Sequence, residues 1–552
     1  MSNNMKTAIL KKITEYLPNN INISNVASYL HLKTCKTEGI YSFLLPLRTR
    51  QYNIQKEAQN IINNEPNSIF DNINIKNNAI SFNISRDRCV KELLEHNCST
   101  VSAPTFVNNK KNIIVEFSSP NIAKPFHVGH LRSTIIGNYV ANINSFINNK
   151  VKKINYLGDW GTQYGLVQLG IDIIGTNEDE MKRNPIKALY TAYVNANKLA
   201  ETDSSVSDRA RQIFNDLESD IGGAHEQWNI FKQYTVEELK RIYSRIGITF
   251  DEYHWESMYN AKNIKKIVTL MEKMQLLVRD EQNRKVVNLS NEKSVPIIKS
   301  DDSTLYIARD IAAAIDRFEK NDFDCMYYVV DNTQVNHFSN LLEILKQMQM
   351  PWAERLKHIK FGRLHGMRTR KGDVIFLEDI LDIARDIIKQ KQIDSHTTKV
   401  RLDSSDNSSD ILGISAMIVN DLKRKRERDY TFDWNAAFDL KGNTGVKLQY
   451  THCRLGSLER NCGAILTSKC EPSLLQEEVV DELVILIAKF EEVVLKSYEE
   501  LEPCILTVYL FNLRVKDELP DVASQRLLLF HVARNILAQG MKLLGLIPLE
   551  EM

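Results

Sequence analysis

At 552 residues the chain is too long for a single hydrophobic core, and its length predicts three or four domains. Hydrophobic residues make up 43% of it, and 71 Lys and Arg residues balance 70 Asp and Glu residues. This composition is ordinary for a soluble globular protein. The net charge points to no nucleic-acid partner and excludes none, because a large protein can gather its basic residues on one face.

The spacing of the cysteines and the length of the apolar runs argue against a zinc-binding protein and against a membrane-spanning one. The eight cysteines contain no C-x-x-C pair, which argues against a zinc site and suits a reducing compartment. No stretch approaches the ~20 uninterrupted apolar residues that a membrane span needs. We therefore expect neither zinc nor a transmembrane segment.

Residues 1–107 predict a small α+β domain without a chemical motif. The alternation of apolar and polar residues over Ala79–Ile84 is typical of a strand. At the start of the chain, Lys6, Lys11 and Lys12 separate apolar residues at helical spacing, and the first acidic residue is Glu15. This pattern fits either a matrix-targeting helix or the first helix of the domain.

From residue 110 the pattern changes to strands that alternate with helices. Strands are predicted at Lys110–Phe117, Val151–Tyr156 and Cys325–Val330, and a helix begins near Gly129 with Leu131, Ile135 and Tyr139 on one face. Such alternation predicts a doubly wound parallel sheet. After a Ser/Asp/Asn-rich loop at Ser404–Asp410, the chain is predicted to be almost wholly helical from Ile411 onwards.

Two histidines stand at the predicted junction between the first of these strands and the helix. His127 and His130 are three residues apart with Gly129 between them. At the carboxyl end of a parallel strand, a helix N-terminus favours a phosphate, and the glycine leaves room for a base or ribose. By themselves, the histidines could equally be metal ligands, or one could be a core histidine.

The surrounding sequence resembles a known family. The string Val115–Thr134, which contains the histidines, is similar to the first signature of class I arginyl-tRNA synthetases. Further segments resemble the same family in the same order, at Asn155–Tyr164, Leu305–Ala314, Leu448–Arg454 and Gly540–Pro548. The resemblance implies an α/β fold with a Rossmann-like parallel-sheet core at 108–427. A tRNA-contacting N-terminal domain at 1–107 would precede it, and an α-helical anticodon-binding domain at 428–552 would follow.

The resemblance also implies which residues bind the substrates. Tyr306 and Asp310 would read the guanidinium of arginine, and their spacing of four residues fits one face of a helix. Glu116, Asn121 and Gln334 would complete the arginine pocket. His127, Gly129 and His130 would bind ATP, and the two histidines would stabilise charge on the α-phosphate. Without the family match, Tyr306 would be read as a core residue and Asp310 as a surface residue.

Basic residues that bind the pyrophosphate are expected in the stretch Gly366–Asp373. It looks like a degenerate form of the family's second signature, in which Arg370 or Lys371 would grip the pyrophosphate. Family members of this kind carry a compensating lysine before the histidine signature, and Lys124 occupies that position. A further basic run, Lys423–Arg428, fits either a solvated helix face or a contact with tRNA phosphates.

The implied reaction is the attachment of arginine to tRNA(Arg), with ATP as the second substrate and Mg²⁺ on its phosphates. The resemblance implies a monomer without a dedicated metal site, located in the mitochondrial matrix or alternatively the cytoplasm. The chain departs from the family in Asp302, where a glycine is common, and in a shortened region near 509–517. Two alternatives therefore stay open: a smaller adenylyltransferase, and a protein that binds tRNA without catalysis.

Overall fold

A computed structural model describes most of the chain. The described residues are 9–10, 13–18, 21, 26, 29–35, 40–50, 52–63, 70–104, 110–121, 126, 128–175, 178–218, 224–290, 293–300, 303–366, 376–395, 407–513 and 524–552. Within these ranges, no helix combines the length and the apolar character that a membrane crossing requires.

The N-terminal part contains an antiparallel sheet and helices, as predicted. Its strands are β1 (His31–Cys35), β2 (Ile40–Pro46), β3 (Asn72–Lys76) and β4 (Ala79–Ser85), in the order β1-β2-β4-β3. Helix α1 (Ala58–Asn63) precedes β3, and α2 (Arg86–Asn97) follows β4. The alternating apolar residues Ile80, Phe82 and Ile84 are all fully buried, because they point to the covered face of the sheet.

A five-stranded parallel sheet forms the centre of the molecule and confirms the predicted fold class. Its first two strands, β5 (Asn112–Glu116) and β6 (Lys150–Leu157), are joined by α3 (Val128–Phe146). Five helices lead to the third strand: α4 (Thr162–Ile174), α5 (Glu178–Arg183), α6 (Pro185–Thr202), α7 (Ser204–Glu218) and α8 (Ala224–Arg245). The third strand is β7 (Glu252–Trp255).

The chain then crosses to the other half of the sheet. It passes through α9 (Ala261–Lys273) and a small antiparallel sheet of β8 (Leu277–Arg279), β9 (Lys285–Asn288) and β10 (Ser294–Ile298). It continues through α10 (Tyr306–Asn321), β11 (Cys325–Asp331), α11 (Val335–Gln347) and β12 (Leu356–Phe361). The central order is β12-β11-β5-β6-β7, all parallel. The small antiparallel sheet was not predicted, because its strands are only three to five residues long.

Helices cover both faces of the central sheet. Ile113 and Val115 of β5 pack in one apolar cluster with residues of α3, whereas Ile114 packs in a second cluster with residues of α10 and α11. Gly137 lets α3 approach the sheet closely, since a Cβ atom there would lie 2.2 Å from Cγ of Phe117. Alternate side chains of one strand thus serve two cores, as a doubly wound sheet requires.

The C-terminal part is almost wholly helical, as predicted. A short parallel pair joins β13 (Leu364–His365) to β14 (Tyr430–Thr431). Around it stand α12 (Leu377–Ile393), α13 (Ser408–Leu422) and α14 (Trp434–Ala437). The remaining helices are α15 (Gly445–Asn461), α16 (Glu478–Ala488), α17 (Phe490–Glu500), α18 (Pro503–Asn512) and α19 (Ser524–Leu543). Residues 514–523 lie outside the described part, and so the region near 509–517 that was predicted to be shortened is described only up to residue 513. Asp302 also lies outside the described part.

The basic run Lys423–Arg428 is partly used inside the protein. The guanidinium of Arg424 lies 4.4 Å from the ring centroid of Tyr430. Arg426 donates to the carbonyl of Lys360, and its backbone N–H donates to Glu502 at 3.1 Å. Lys425 and Arg428 are the exposed basic residues of the run, so of the two interpretations a contact with tRNA phosphates would use only part of it.

A buried arginine ties α3 to the chain segments that follow β12 and α13. Arg132 is 1% exposed, and its Nε lies 3.1 Å from a carboxylate oxygen of Asp421. Its guanidinium also donates to the carbonyls of Gly362, Arg426 and Arg428. The helix that begins with the histidine signature is therefore held to both segments by one side chain.

We expect Arg132→Met to lower the free energy of unfolding by about 3–5 kcal/mol, because it leaves the Asp421 carboxylate buried without its cation. The control is Arg211→Met, which removes an exposed arginine paired with Asp208 on one helix and should cost at most about 1 kcal/mol. The measurement is the shift of the first urea-unfolding transition. Equal shifts for the two variants would contradict the structural role of Arg132.

Candidate active site

A strained turn follows β5 at the carboxyl edge of the central sheet. Ser118 and Ser119 adopt left-handed backbone conformations with φ of 72° and 47°. The backbone N–H of Ser118 donates to Oγ of Ser133 at 2.9 Å, and its hydroxyl lies 2.7 Å from the hydroxyl of Tyr243. The N–H of Ser119 donates to Asn155 at 3.1 Å. Such conformations persist only where the surroundings hold them, and they cluster at functional sites.

Helix α3 begins at Val128, nine residues after Ser119, and carries Gly129 and His130 of the histidine signature. Gly129 and His130 are half-buried in its first turn, and the ring of His130 lies 5.3 Å from that of Phe126. His127 and Lys124 lie outside the described residues, as do Arg370 and Lys371 of the second signature. The structure thus locates one of the two predicted histidines at the N-terminal end of a helix that follows a parallel strand.

Asn121 lies beside the loop that follows β6. It forms a bridge with Gly158, whose N–H donates to the carbonyl of Pro120 at 3.1 Å. The hydroxyl of Tyr164 donates to the carbonyl of Gly158 and is hydrogen-bonded to the side chain of Asn121. Burial raises the pKa of Tyr164 well above its usual range, so this phenol stays neutral.

Asp159 is a buried charge at this edge that the sequence did not single out. It is completely buried and accepts hydrogen bonds from the backbone N–H and the hydroxyl of Ser257, at 2.9 and 2.6 Å. Its carboxylate also lies 2.7 Å from the ammonium of Lys232. These contacts join the loop after β6 to the segment after β7, so they stabilise the wall of the site.

Tyr306 and Asp310 lie on the first turns of α10, as the spacing predicted. Tyr306 is the first residue of the helix and is 59% exposed. Its hydroxyl would lie 3.9 Å from a Cβ atom placed on Gly161, in the loop after β6. Asp310 follows one turn later, with a side chain that is 25% exposed. Both side chains are therefore accessible at the same edge of the sheet.

Glu116 lies behind Asp310 and already has an internal partner. This last residue of β5 is buried and accepts a hydrogen bond from the guanidinium of Arg317 on α10. Burial raises the pKa of Glu116, and the charge of Asp310 raises it further, so the carboxylate depends on Arg317 to stay ionised. The guanidinium lies 4.8 Å from the ring centroid of Tyr156, whose buried hydroxyl has no hydrogen-bond partner among the described residues.

Asp310 has a histidine partner that the sequence did not indicate. Nε2 of His337 donates to Oδ2 of Asp310 at 2.7 Å. His337 lies on α11, three residues after Gln334, which is exposed at the end of the 3₁₀ turn Asn332–Gln334. The sequence offered one signal for His337, because a polar residue one helical turn after the predicted site residue Gln334 faces the same way.

The arrangement groups the described residues into two sets. Glu116, Asp310, Arg317 and His337 form a charged set around β5, α10 and α11. Asn121 and Tyr306 form the second set beside the loop after β6. Asn121 is hydrogen-bonded to the buried Tyr164, and Tyr306 interacts electrostatically with it. Two carboxylates and several neutral acceptors beside a helix N-terminus suit a ligand that carries both a planar cation and a phosphate.

The sequence matches two family models. Residues 90–434 match "tRNA synthetases class I (R), catalytic domain", and residues 448–552 match "DALR anticodon binding domain". A probable mitochondrial arginine–tRNA ligase from Homo sapiens is 39% identical over 491 residues, covering 85% of this chain and 84% of that protein. A probable cytoplasmic arginine–tRNA ligase from Dictyostelium discoideum is 38% identical over 515 residues, covering 86% and 87%.

A solved structure has the same fold along the whole chain. The arginyl-tRNA synthetase of Thermus thermophilus superposes with a TM-score of 0.76 at 20% sequence identity, and the match covers 100% of both chains. The catalytic-domain model alone spans more than half of the sequence, and the curated relatives are matched over most of their length. The chain therefore belongs to the class I arginyl-tRNA synthetases.

Proposed function

We propose that this chain activates arginine with ATP and transfers it to the 3′-terminal adenosine of tRNA(Arg). The observation that carries the proposal is the accessible pair of Tyr306 and Asp310 on the first turns of α10, with the carboxylate of Glu116 behind it. A guanidinium is a planar fork of donors and needs a carboxylate together with further acceptors. The names of the curated relatives support the same substrate.

In the proposed pocket, the carboxylate of Asp310 accepts two N–H groups of the guanidinium, and the hydroxyl of Tyr306 accepts a third. Glu116 contributes its charge from behind and stays paired with Arg317. Asn121 and Gln334 hold the α-amino and carboxylate groups of the substrate. Lysine is rejected because a single ammonium leaves acceptors that are placed for a fork without partners.

The first chemical step joins arginine to AMP. A carboxylate oxygen of arginine attacks the α-phosphorus of ATP, the bond to the bridging oxygen breaks, and pyrophosphate leaves with that electron pair. His127 and His130 stabilise the α-phosphate, and the backbone at Gly129 lies against the nucleotide. Lys124, Arg370 and Lys371 offset the charge of the pyrophosphate. Mg²⁺ enters on the phosphates of ATP and needs no dedicated protein site.

The second step releases AMP. A ribose hydroxyl of the terminal adenosine attacks the carbonyl carbon of the adenylate, and AMP leaves as the new ester forms. We propose that residues 108–427 carry out both steps, while 1–107 and 428–552 hold the tRNA. The enzyme acts as a monomer. Its proposed compartment is the mitochondrial matrix, which the name of the human relative supports. The cytoplasm is the alternative, as in the name of the Dictyostelium discoideum relative.

The test is aminoacylation of mitochondrial and cytosolic tRNA from the source organism, with labelled arginine and in parallel with labelled lysine. We expect charging with arginine alone, faster with the mitochondrial pool. Charging of the cytosolic pool only would move the enzyme to the cytoplasm. A folded protein that binds tRNA but charges neither pool would contradict the proposed activity and favour a tRNA-binding protein without catalysis.

A further inference from the structure

We propose that His337 is a proton-linked positioning residue of the arginine pocket, which holds Asp310 while protonated and releases its proton when the guanidinium of arginine binds that carboxylate. The inference rests on the proposed function, since it takes arginine as the ligand of Asp310. It adds a consequence that the pocket residues predicted from the sequence do not imply: arginine affinity depends on pH through a histidine that need not touch the substrate.

The geometry distinguishes an exchangeable ion pair from a permanent one. His337 and Asp310 are 2.7 Å apart, and their side chains are 27% and 25% exposed, so a ligand can reach the carboxylate. Glu116 and Arg317 behind them are 5% and 1% exposed. The pocket therefore has one carboxylate that is closed off by its partner and one that an incoming cation can bind.

A guanidinium bound to Asp310 places a second cation beside a carboxylate that already neutralises His337. Arg317 cannot relieve the repulsion, because a guanidinium does not lose its proton in proteins. His337 can, because an imidazole titrates near neutral pH. The neutral ring still carries one N–H, so it can keep its hydrogen bond to Asp310 and hold the carboxylate in place for the substrate.

Several other charged groups on the elements around α11 have partners of their own. Asp331 accepts the N–H of Thr333 at 2.7 Å, Lys346 lies 3.1 Å from Glu354, Arg355 donates to the carbonyl of Phe323 at 3.0 Å, and His358 contacts the carbonyl of Val330 at 2.9 Å. Glu343 on α11 itself accepts from Ser290 at 2.7 Å, Lys360 of β12 lies 3.1 Å from Glu427, and Asp316 and Lys320 pair at 2.8 Å on α10. Lys357 of β12 is exposed to solvent.

Asp310 is thus the charge that acts on His337. Burial by itself would lower the pKa of His337, but the hydrogen bond to Asp310 and the charge of that carboxylate outweigh burial, so the pKa is raised. A bound guanidinium neutralises the same charge and returns the pKa downward. The affinity for arginine should therefore be highest at pH values above the raised pKa of His337 in the free protein. Its affinity should fall by up to about tenfold per pH unit as the pH drops between the free and bound values.

The test is calorimetric titration of the full-length protein with L-arginine, between about pH 6 and pH 8, in two buffers of different ionisation enthalpy. For the natural protein we expect proton release that approaches one per bound arginine at the low end and declines at the high end. His337→Gln keeps a side-chain N–H for Asp310 but cannot titrate, so we expect binding without the pH slope. The matched control is His358→Gln, because this neighbouring histidine does not contact Asp310, and we expect it to retain the slope.

The outcomes separate this inference from the proposed function. An equal pH slope in the natural protein and in His337→Gln, with tRNA charging intact, would overturn the inference and leave the function standing. Loss of the slope in both histidine variants would also overturn it. Absence of arginine binding together with absence of charging would overturn the proposed function and this inference with it.

Discussion

Replacing Asp310 with asparagine should lower kcat/KM for arginine by roughly 30-fold to several thousandfold, which corresponds to about 2–5 kcal/mol for truncating one partner of a hydrogen-bonded charge pair. The amide presents an N–H₂ group to the guanidinium and removes the charge that His337 also uses. Because the contact exists both in the bound substrate and in the transition state, we expect most of the loss in KM for arginine. The measurement is steady-state charging of tRNA over a range of arginine concentrations.

Asp316→Asn is the matched control for that experiment. Asp316 lies on the same helix with a side chain that is 30% exposed. Its carboxylate lies 2.8 Å from the ammonium of Lys320 and accepts a hydrogen bond from the hydroxyl of Tyr259 at 3.2 Å. We expect its KM for arginine to stay within about twofold of the natural value, as for other exposed ion pairs. A similar loss in both variants would show that helix α10, and not the carboxylate of Asp310, limits arginine binding.

Replacing Arg317 with methionine should lower the free energy of unfolding by about 3–5 kcal/mol, because it leaves the Glu116 carboxylate buried without a cation. The same variant should weaken arginine binding, since an unpaired Glu116 takes up a proton and loses the charge that it contributes behind Asp310. The measurement is the first urea-unfolding transition, followed by arginine titration of the folded fraction.

The double variant Glu116→Gln, Arg317→Met separates the two effects. With neither charge present, much of the lost stability should return, because two neutral groups avoid the cost of an unpaired buried ion. Arginine affinity should stay low, because the second carboxylate is still missing. Lys320→Met, which breaks an exposed pair on the same helix, should change stability by at most about 1 kcal/mol. A double variant no more stable than Arg317→Met would contradict the assignment of the loss to an unpaired Glu116.

Local patterns in the sequence predicted the elements that carry the site. The apolar run before residue 117 and the run at Cys325–Val330 became adjacent parallel strands, β5 and β11. The spacing of Tyr306 and Asp310 placed them on one face of α10, since neighbours four residues apart on a helix face the same way. These predictions succeeded because strand and helix periodicity are properties of a few consecutive residues.

The sequence by itself predicted three strands of the central sheet, the helical C-terminal part, the family and the candidate substrate-binding residues. Only the tertiary structure decided which charges meet. Arg317 pairs with Glu116 across 201 positions, and His337 reaches Asp310 across 27. The spacing of His337 from Gln334 marks it as a neighbour of the site, but no local pattern shows which charge it meets. Ion pairs between helices and strands depend on how the elements pack and on how much water the packing removes. Arg317 and His337, the partners of the two carboxylates in the proposed arginine pocket, could therefore be identified only from the folded chain.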